Sequence, residues 1–122
     1  MPLALVQYKT NRDLESFVEK LALLMPGIVA PALDMPGYAN SDYRLTPDDI
    51  EVWVTESGKL DVNTKDIEVI IWAHEYPERR VNLEERKNQI IRGVREIAIV
   101  CGRTDISGFV WVLLQPSAFG IL

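Results

Sequence analysis

Two kinds of hydrophobic pattern follow one another along the first half of the chain. Residues 3–9 form a short apolar segment, and residues 50–55 alternate between apolar and polar positions, so both segments are predicted to be β-strands. Between them, over residues 14–25, apolar side chains recur every three or four positions, which predicts an amphipathic helix. Pro26 and Gly27 are expected to end or kink this helix.

The second half of the chain repeats this order. Strands are predicted for residues 67–72 and 109–114, with a helical apolar stripe over residues 90–101 between them. Asn82 is a good N-cap residue, so the second helix is expected to begin there, after a charged loop. Arg86 is among the charged residues expected on the outer side of this helix.

The repeat predicts an α+β fold made of two consecutive β-α-β units, about residues 2–62 and 66–120, in a single domain of 122 residues. Right-handed crossovers would place both helices on one face of a four-stranded sheet. The other face would then expose either the apolar side of the first strand or Phe109, Trp111 and Leu113. Because no third helix is predicted, a second copy of the chain is expected to cover that face.

Composition limits the classes of partner. The 13 basic and 18 acidic residues give a net charge of −5, which disfavours nucleic acid and anionic membranes as partners. A single cysteine and a single histidine leave too few ligands for a zinc site, and we expect no metal and no cofactor. We find no signal-peptide pattern and no apolar run near the roughly 20 residues of a membrane span. These features predict a cytoplasmic protein.

Three features at the ends of the two repeats occur together. Met1 and Pro2 lead directly into the first strand, residues 82–87 (NLEERK) open the second helix, and residues 115–121 (QPSAFGI) follow the last strand. Together with the duplicated topology, they resemble the tautomerase superfamily, which includes 4-oxalocrotonate tautomerase, macrophage migration inhibitory factor and malonate semialdehyde decarboxylase. The resemblance covers most of the chain.

This resemblance implies a homotrimer and a cofactor-independent tautomerase or isomerase that acts on a small carboxylate-bearing keto or enol substrate. It implies that Pro2 is catalytic once Met1 has been removed, as a secondary amine that serves as general base or general acid. Burial and a nearby cation would lower the pKa of that amine. Retention of Met1 would make this mechanism impossible.

The resemblance also implies a set of substrate-binding residues. Arg79 and Arg80 are expected to hold the substrate carboxylate, since a guanidinium can form paired hydrogen bonds with it. Phe119 matches an aromatic residue that forms an apolar wall beside the proline. Asn82 falls where the family's helix motif has an arginine, so Arg80 is displaced by two positions and Arg79 by three.

Further residues are candidates for a second acid or base. His74, in the charged loop, could transfer a proton, and a long loop before the second strand offers Asp34, Tyr38 and Tyr43. Each candidate also has a purely structural interpretation; the loop arginines, for example, could simply form ion pairs with neighbouring glutamates.

Other activities are compatible with the same sequence. A fold of this kind can also support decarboxylation or hydrolytic dehalogenation, with the proline as an acid and a carboxylate that activates water. A non-enzymatic oligomer that binds a ligand or serves in assembly is the alternative from another class. The chain has no glycine-rich phosphate loop, no Gly-x-Ser-x-Gly motif and no His-Glu-x-x-His motif, which argues against nucleotide hydrolysis, serine hydrolysis and zinc proteolysis.

Overall fold

A computed structural model describes residues 2–35, 44–118 and 120–122. Its β-strands are β1 (Leu3–Tyr8), β2 (Glu51–Glu56), β3 (Ile67–His74) and β4 (Gly108–Gln115), and its α-helices are α1 (Glu15–Leu33), α2 (Pro77–Val81) and α3 (Leu83–Val100). Two 3₁₀ turns, Thr10–Arg12 and Pro47–Asp49, precede α1 and β2.

The four strands form one mixed sheet in the order β2-β1-β3-β4. Strand β1 is parallel to β2 and antiparallel to β3, and β3 is parallel to β4. Helices α1 and α3 contact each other and both contact the sheet, so they lie on the same face. The predicted α+β fold of two β-α-β units is therefore confirmed.

The core lies between the sheet and α1. The inner positions of β1 are Ala4, Val6 and Tyr8, all buried, so this side of the first strand faces the helices and not the open face. Helix α1 contributes a series of buried residues that follow one another at intervals of four: Phe17, Leu21, Met25, Val29 and Leu33. This spacing places them in one stripe along the helix.

Pro26 was expected to end or kink the helix; α1 continues through Pro26 and Pro31 to Leu33, so it does not end there. Each proline removes one backbone hydrogen-bond donor, but the buried stripe extends past both positions and favours a continuous helix. Helix α1 has 19 residues and contains an 18-residue stretch of mean hydropathy 1.5, so by length and composition alone it could cross a membrane. Here its apolar stripe forms the protein core.

The second long helix begins where predicted, with Asn82 at its N-cap position, but the segment before it and the role of the Asn82 side chain differ from the prediction. Helix α2 occupies part of the predicted charged loop, and α3 begins at Leu83 without a side-chain cap from Asn82. The Asn82 Oδ1 atom instead accepts a hydrogen bond of 2.7 Å from the Nε of Arg86. Arg86, predicted to face outward, is buried, because its guanidinium reaches the end of α1.

The face of the sheet away from the helices carries a row of apolar side chains, including the one expected on β4. Neighbouring positions in register across all four strands are Trp53, Leu5, Ile70 and Trp111. The two tryptophans at the ends of this row are 55% and 49% exposed, and Phe109 on β4 is also about half exposed. A single chain therefore leaves a continuous apolar surface in contact with solvent.

Candidate functional site

A cavity of about 650 Å³ lies at the end of the sheet where β1 and β2 begin and β3 and β4 end. Its wall includes residues from the start of β1, the segments around α1 and β2, and the ends of β3 and β4: Pro2, Arg44, Asp49, His74, Arg79 and Ser117. A concave site with several convergent polar groups is the usual form of a small-molecule site.

Pro2 is buried at the edge of this cavity. Its carbonyl oxygen accepts a hydrogen bond of 3.2 Å from the Glu51 backbone N–H. The next residue, Leu3, pairs with Glu51 on one side and with Trp72 on the other. Because β1 is an inner strand, the backbone next to Pro2 is held on both sides, which fixes the position of the residue in the cavity.

Arg79, on α2, is 3% exposed and lines the same cavity. Its Nε donates a hydrogen bond of 3.1 Å to the Leu33 carbonyl, and its Nη1 donates one of 3.0 Å to the His74 carbonyl. The guanidinium lies 5.0 Å from the ring centre of Tyr76. Burial lowers the pKa of Arg79, but an arginine stays protonated in proteins, so the wall carries a positive charge.

Arg86 occupies a related position that does not line the cavity. Its Nη1 donates hydrogen bonds of 3.0 Å to the Ala32 carbonyl and 2.9 Å to the Asp34 carbonyl, and burial lowers its pKa. Arg79 and Arg86 thus satisfy backbone carbonyls in the last turn of α1, where a cation also interacts favourably with the helix dipole. These contacts stabilise the C-terminal end of α1.

Asp34 holds a second arginine beside the cavity. Both of its carboxylate oxygens accept hydrogen bonds from the Nε of Arg44, at 3.1 and 3.0 Å, and the backbone N–H groups of Met35 and Leu45 also donate to Oδ1. Burial alone would raise the pKa of Asp34, but these hydrogen bonds outweigh burial and hold the pKa below its usual value. Asp34 is therefore an ionised partner that positions Arg44.

His74, the last residue of β3, is held by the segment that follows β4. Its Nδ1 accepts a hydrogen bond of 3.3 Å from the Ser117 backbone N–H and lies 3.0 Å from the Ser117 hydroxyl. The ring of Tyr76 lies edge-on to the imidazole with 4.6 Å between ring centres. The side chain of His74 is thus fixed where it lines the cavity.

Three of the predicted site residues, Pro2, His74 and Arg79, line one cavity. Arg80 is not among its lining residues; its side chain is 67% exposed and forms an ion pair with Glu75. Asn82 and Asp34 are also absent from the lining and contact arginines instead. Three further candidates, Tyr38, Tyr43 and Phe119, lie outside the described residues.

Arg44, Asp49, Tyr76 and Ser117 line the cavity but were not singled out as candidates. Asp49 could have been found from the sequence, because it lies two residues before β2, and parallel pairing of Glu51 with Leu3 brings the segment before β2 close to the start of β1. Its Oδ2 accepts hydrogen bonds from the backbone N–H and the hydroxyl of Thr46. The other three had no local signal, since only the tertiary structure brings their segments to the cavity.

The cavity combines a buried proline, positive groups and a fixed imidazole, which suits a small anion that exchanges a proton. Among residues 2–35, 44–118 and 120–122, no group of three or more histidine, cysteine or acidic side chains could hold a metal ion. The single cysteine, Cys101, is partly buried and lies outside the cavity lining.

Neither a family model nor a curated protein sequence matches the chain. Solved structures do. Malonate semialdehyde decarboxylase matches with a TM-score of 0.64 at 13% identity, over 98% of this chain and 91% of that one. Pt0534, in a form inactivated by 2-oxo-3-pentynoate, matches with a TM-score of 0.57 at 15% identity, over 93% and 85%.

A third match is a fused 4-OT that forms a symmetric trimer. Its TM-score is 0.53 at 13% identity, over 93% of this chain and 85% of that one. At these identities the similarity lies in the path of the backbone, and it spans nearly the whole chain in all three cases. The protein therefore has the fold of the tautomerase superfamily.

Proposed function

We propose that the protein is a cofactor-independent tautomerase that acts on a small carboxylate-bearing keto or enol substrate, with Pro2 as general base and general acid. The observation that carries the proposal is that Pro2 is buried in the wall of the same cavity as the Arg79 guanidinium. A cation near an amine disfavours the protonated amine and so favours a neutral base.

Pro2 can act only after removal of Met1, which converts its nitrogen from an amide into a secondary amine. The amine would then take a proton from a carbon next to the substrate carbonyl and leave an enolate. The resulting ammonium would return the proton to the enolate oxygen or to another carbon of the enolate. This cycle neither gains nor loses a proton, and general acid–base catalysis of this kind contributes about 10²- to 10⁴-fold to a rate.

The substrate carboxylate is proposed to lie toward Arg79 and Arg44, which both line the cavity. Arg79 directs two of its donors to backbone carbonyls, so its charge is not cancelled by those contacts. Arg44 is oriented by Asp34. Arg80, paired with Glu75 outside the cavity lining, is no longer part of the proposed site.

We further propose that the protein assembles as a trimer in the cytoplasm. The apolar row around Trp53, Ile70 and Trp111 supports self-association, because the same apolar surface of a second copy can cover it. The symmetric trimer formed by the fused 4-OT supports three copies in particular. In sedimentation experiments, we expect a trimer for the wild type and dissociation for Trp111→Glu. A wild type that stays monomeric at micromolar concentration would contradict the proposal.

The first experiment asks whether Pro2 is free and reactive. Mass spectrometry of the purified protein should show loss of Met1. Addition of 2-oxo-3-pentynoate, the inactivator of Pt0534, should then give one adduct on the N-terminal peptide. The bond would form between the Pro2 nitrogen and an alkyne carbon, while the proton lost by nitrogen moves to the neighbouring carbon. Retained Met1, or an adduct elsewhere with Pro2 unlabelled, would contradict the proposal.

The second experiment measures turnover of phenylenolpyruvate and 2-hydroxymuconate by the wild type and by Pro2→Ala. We expect the variant to lose about 100-fold in kcat/KM, since a primary amine replaces the ring nitrogen. Equal rates in the two proteins would refute the assignment. Malonate semialdehyde is the substrate to add as a test of decarboxylation, the activity of one structurally similar protein. A protein that turns over none of these and retains Met1 would be the non-enzymatic module.

A further inference from the structure

The imidazole of His74 is oriented by its contact with Ser117. A backbone N–H can only donate, so the 3.3 Å hydrogen bond from Ser117 N–H makes His74 Nδ1 an acceptor. In a neutral imidazole with an unprotonated Nδ1, the proton is on Nε2. The contact therefore selects the tautomer that carries a donor on Nε2.

Two more contacts fix the position of this donor. The His74 carbonyl accepts the 3.0 Å hydrogen bond from Arg79 Nη1, which ties the end of β3 to α2. The ring packs edge-on against Tyr76, whose own ring lies beneath the Arg79 guanidinium. Among the residues described, none is a hydrogen-bond partner of Nε2, although both ring contacts of Nδ1 are defined.

We propose that His74 is a second catalytic residue, whose Nε2–H donates a hydrogen bond to the substrate oxygen that becomes negative when Pro2 removes a proton. The inference rests on the proposed function, since it needs Pro2 and His74 to face one substrate across the cavity that both residues line. No proton leaves Nε2 in this step; the C–H electron pair forms the C=C bond and the carbonyl π electrons move to oxygen. A preorganised donor aimed at such an oxygen stabilises the transition state.

Two substitutions separate this role from a structural one. In His74→Asn, Oδ1 stands near the position of Nδ1 and can still accept from Ser117, but the distal donor is lost. In His74→Gln, the Nε2 amide stands near the position of the imidazole Nε2, so a donor remains while the Ser117 contact is weakened. A catalytic donor predicts that His74→Asn loses about 100-fold in kcat and that His74→Gln retains most of it.

The opposite order of activities would overturn the proposal, because it would mean that His74 serves only to hold the segment after β4. Equal activity of His74→Asn and wild type would overturn it as well. Thermal unfolding shows whether each variant still folds. Labelling with 2-oxo-3-pentynoate shows whether Pro2 is still reactive in each variant. A labelled Pro2 with a slow kcat in His74→Asn is the expected result.

Nuclear magnetic resonance tests the inference independently of turnover. His74 is the single histidine, so the imidazole nitrogen signals of the ¹⁵N-labelled full chain need no further assignment. We expect a protonated Nε2 and an unprotonated Nδ1, with a shift of the Nε2–H signal when phenylpyruvate is added. A proton on Nδ1, or an unchanged Nε2–H signal at saturating phenylpyruvate, would refute the role of His74. If Pro2 is unlabelled and the wild type inactive, the proposed function has failed, and the catalytic role of His74 fails with it. A labelled Pro2 and an active wild type with an unchanged Nε2–H signal would overturn the role of His74 alone.

Discussion

The two ends of the sheet both contain buried charged side chains, but their charges are compensated differently. At the end away from the cavity, Asp66 lies between β1 and β4 and forms an ion pair of 3.1 Å with Arg12. It also accepts hydrogen bonds from the backbone N–H and hydroxyl of Ser107. Arg12 and Arg103 both contact Asp105 nearby. At this end of the sheet, acidic and basic side chains therefore pair with one another.

At the cavity end, the buried guanidiniums of Arg79 and Arg86 donate to backbone carbonyls. Within the described ranges, neither of them is in ion-pair contact with a carboxylate. Carbonyls, most of them at the end of α1, accept their hydrogen bonds, while Asp34, the carboxylate whose charge acts on both arginines, is itself hydrogen-bonded to Arg44. At one end of the sheet, ion pairs connect the loops. At the other end, the Arg79 guanidinium lies beside the cavity without an ion-pair partner among the described residues.

The largest effect is expected for Arg79→Met, which removes one of the two guanidinium groups that line the cavity. Leu33 and His74 each lose a hydrogen-bond donor to their carbonyls, so the free energy of unfolding should fall by about 3 kcal/mol. The kcat/KM of the folded variant should fall about 100-fold, because a group that stabilises negative charge is lost. Urea unfolding and steady-state kinetics measure the two effects. Unchanged kcat/KM would show that Arg79 is only structural.

Arg86→Met is the matched control for Arg79. Its guanidinium also donates to carbonyls at the end of α1, but it does not line the cavity. The free energy of unfolding should again fall by about 3 kcal/mol, while the kcat/KM of the folded protein stays near the wild-type value. Both variants are compared at one protein concentration, since an oligomer's stability depends on it. An equal loss of activity in both variants would remove the distinction between the two arginines.

Asp66→Asn tests the end of the sheet where acidic and basic side chains pair. Burial alone would raise the pKa of Asp66, but the Ser107 hydrogen bonds and the Arg12 charge hold it below its usual value. Such a carboxyl group stabilises the fold above its unfolded pKa of about 3.9, and the contribution is lost as the pH falls through the folded pKa. The variant should be about 2 kcal/mol less stable than wild type at pH 7, with unchanged kcat/KM.

The pH dependence gives this test a second readout. As the pH falls below about 4, the wild type loses the Asp66 contribution, so its stability should approach that of the Asp66→Asn variant. Urea unfolding of both proteins at pH 7 and at lower pH measures this convergence. A stability difference that is the same at every pH would mean that the ionised form of Asp66 is not what stabilises the fold.

The sheet and its two long helices could be predicted from the sequence because alternation and helical spacing are local patterns. The end of α1 could not, since Pro26 locally predicts a stop or a kink and only burial of residues beyond it, such as Val29 and Leu33, favours continuation. For the cavity, the resemblance pointed to Pro2 and to a pair of neighbouring arginines. Arg44 was missed because its contact with Asp34, ten positions earlier in the chain, depends on the tertiary structure.

Arg80→Ala is expected to have the smallest effect and separates two residues that the sequence could not distinguish. Arg79 and Arg80 are adjacent in α2, but only Arg79 turns into the cavity wall, while Arg80 forms an exposed ion pair with Glu75. An exposed pair contributes at most about 1 kcal/mol, so the unfolding free energy should barely change. The kcat/KM should equal that of the wild type. A loss of activity as large as that of Arg79→Met would mean that α2 presents Arg80 to the substrate. The positive charge in the cavity wall could then no longer be assigned to Arg79 rather than Arg80.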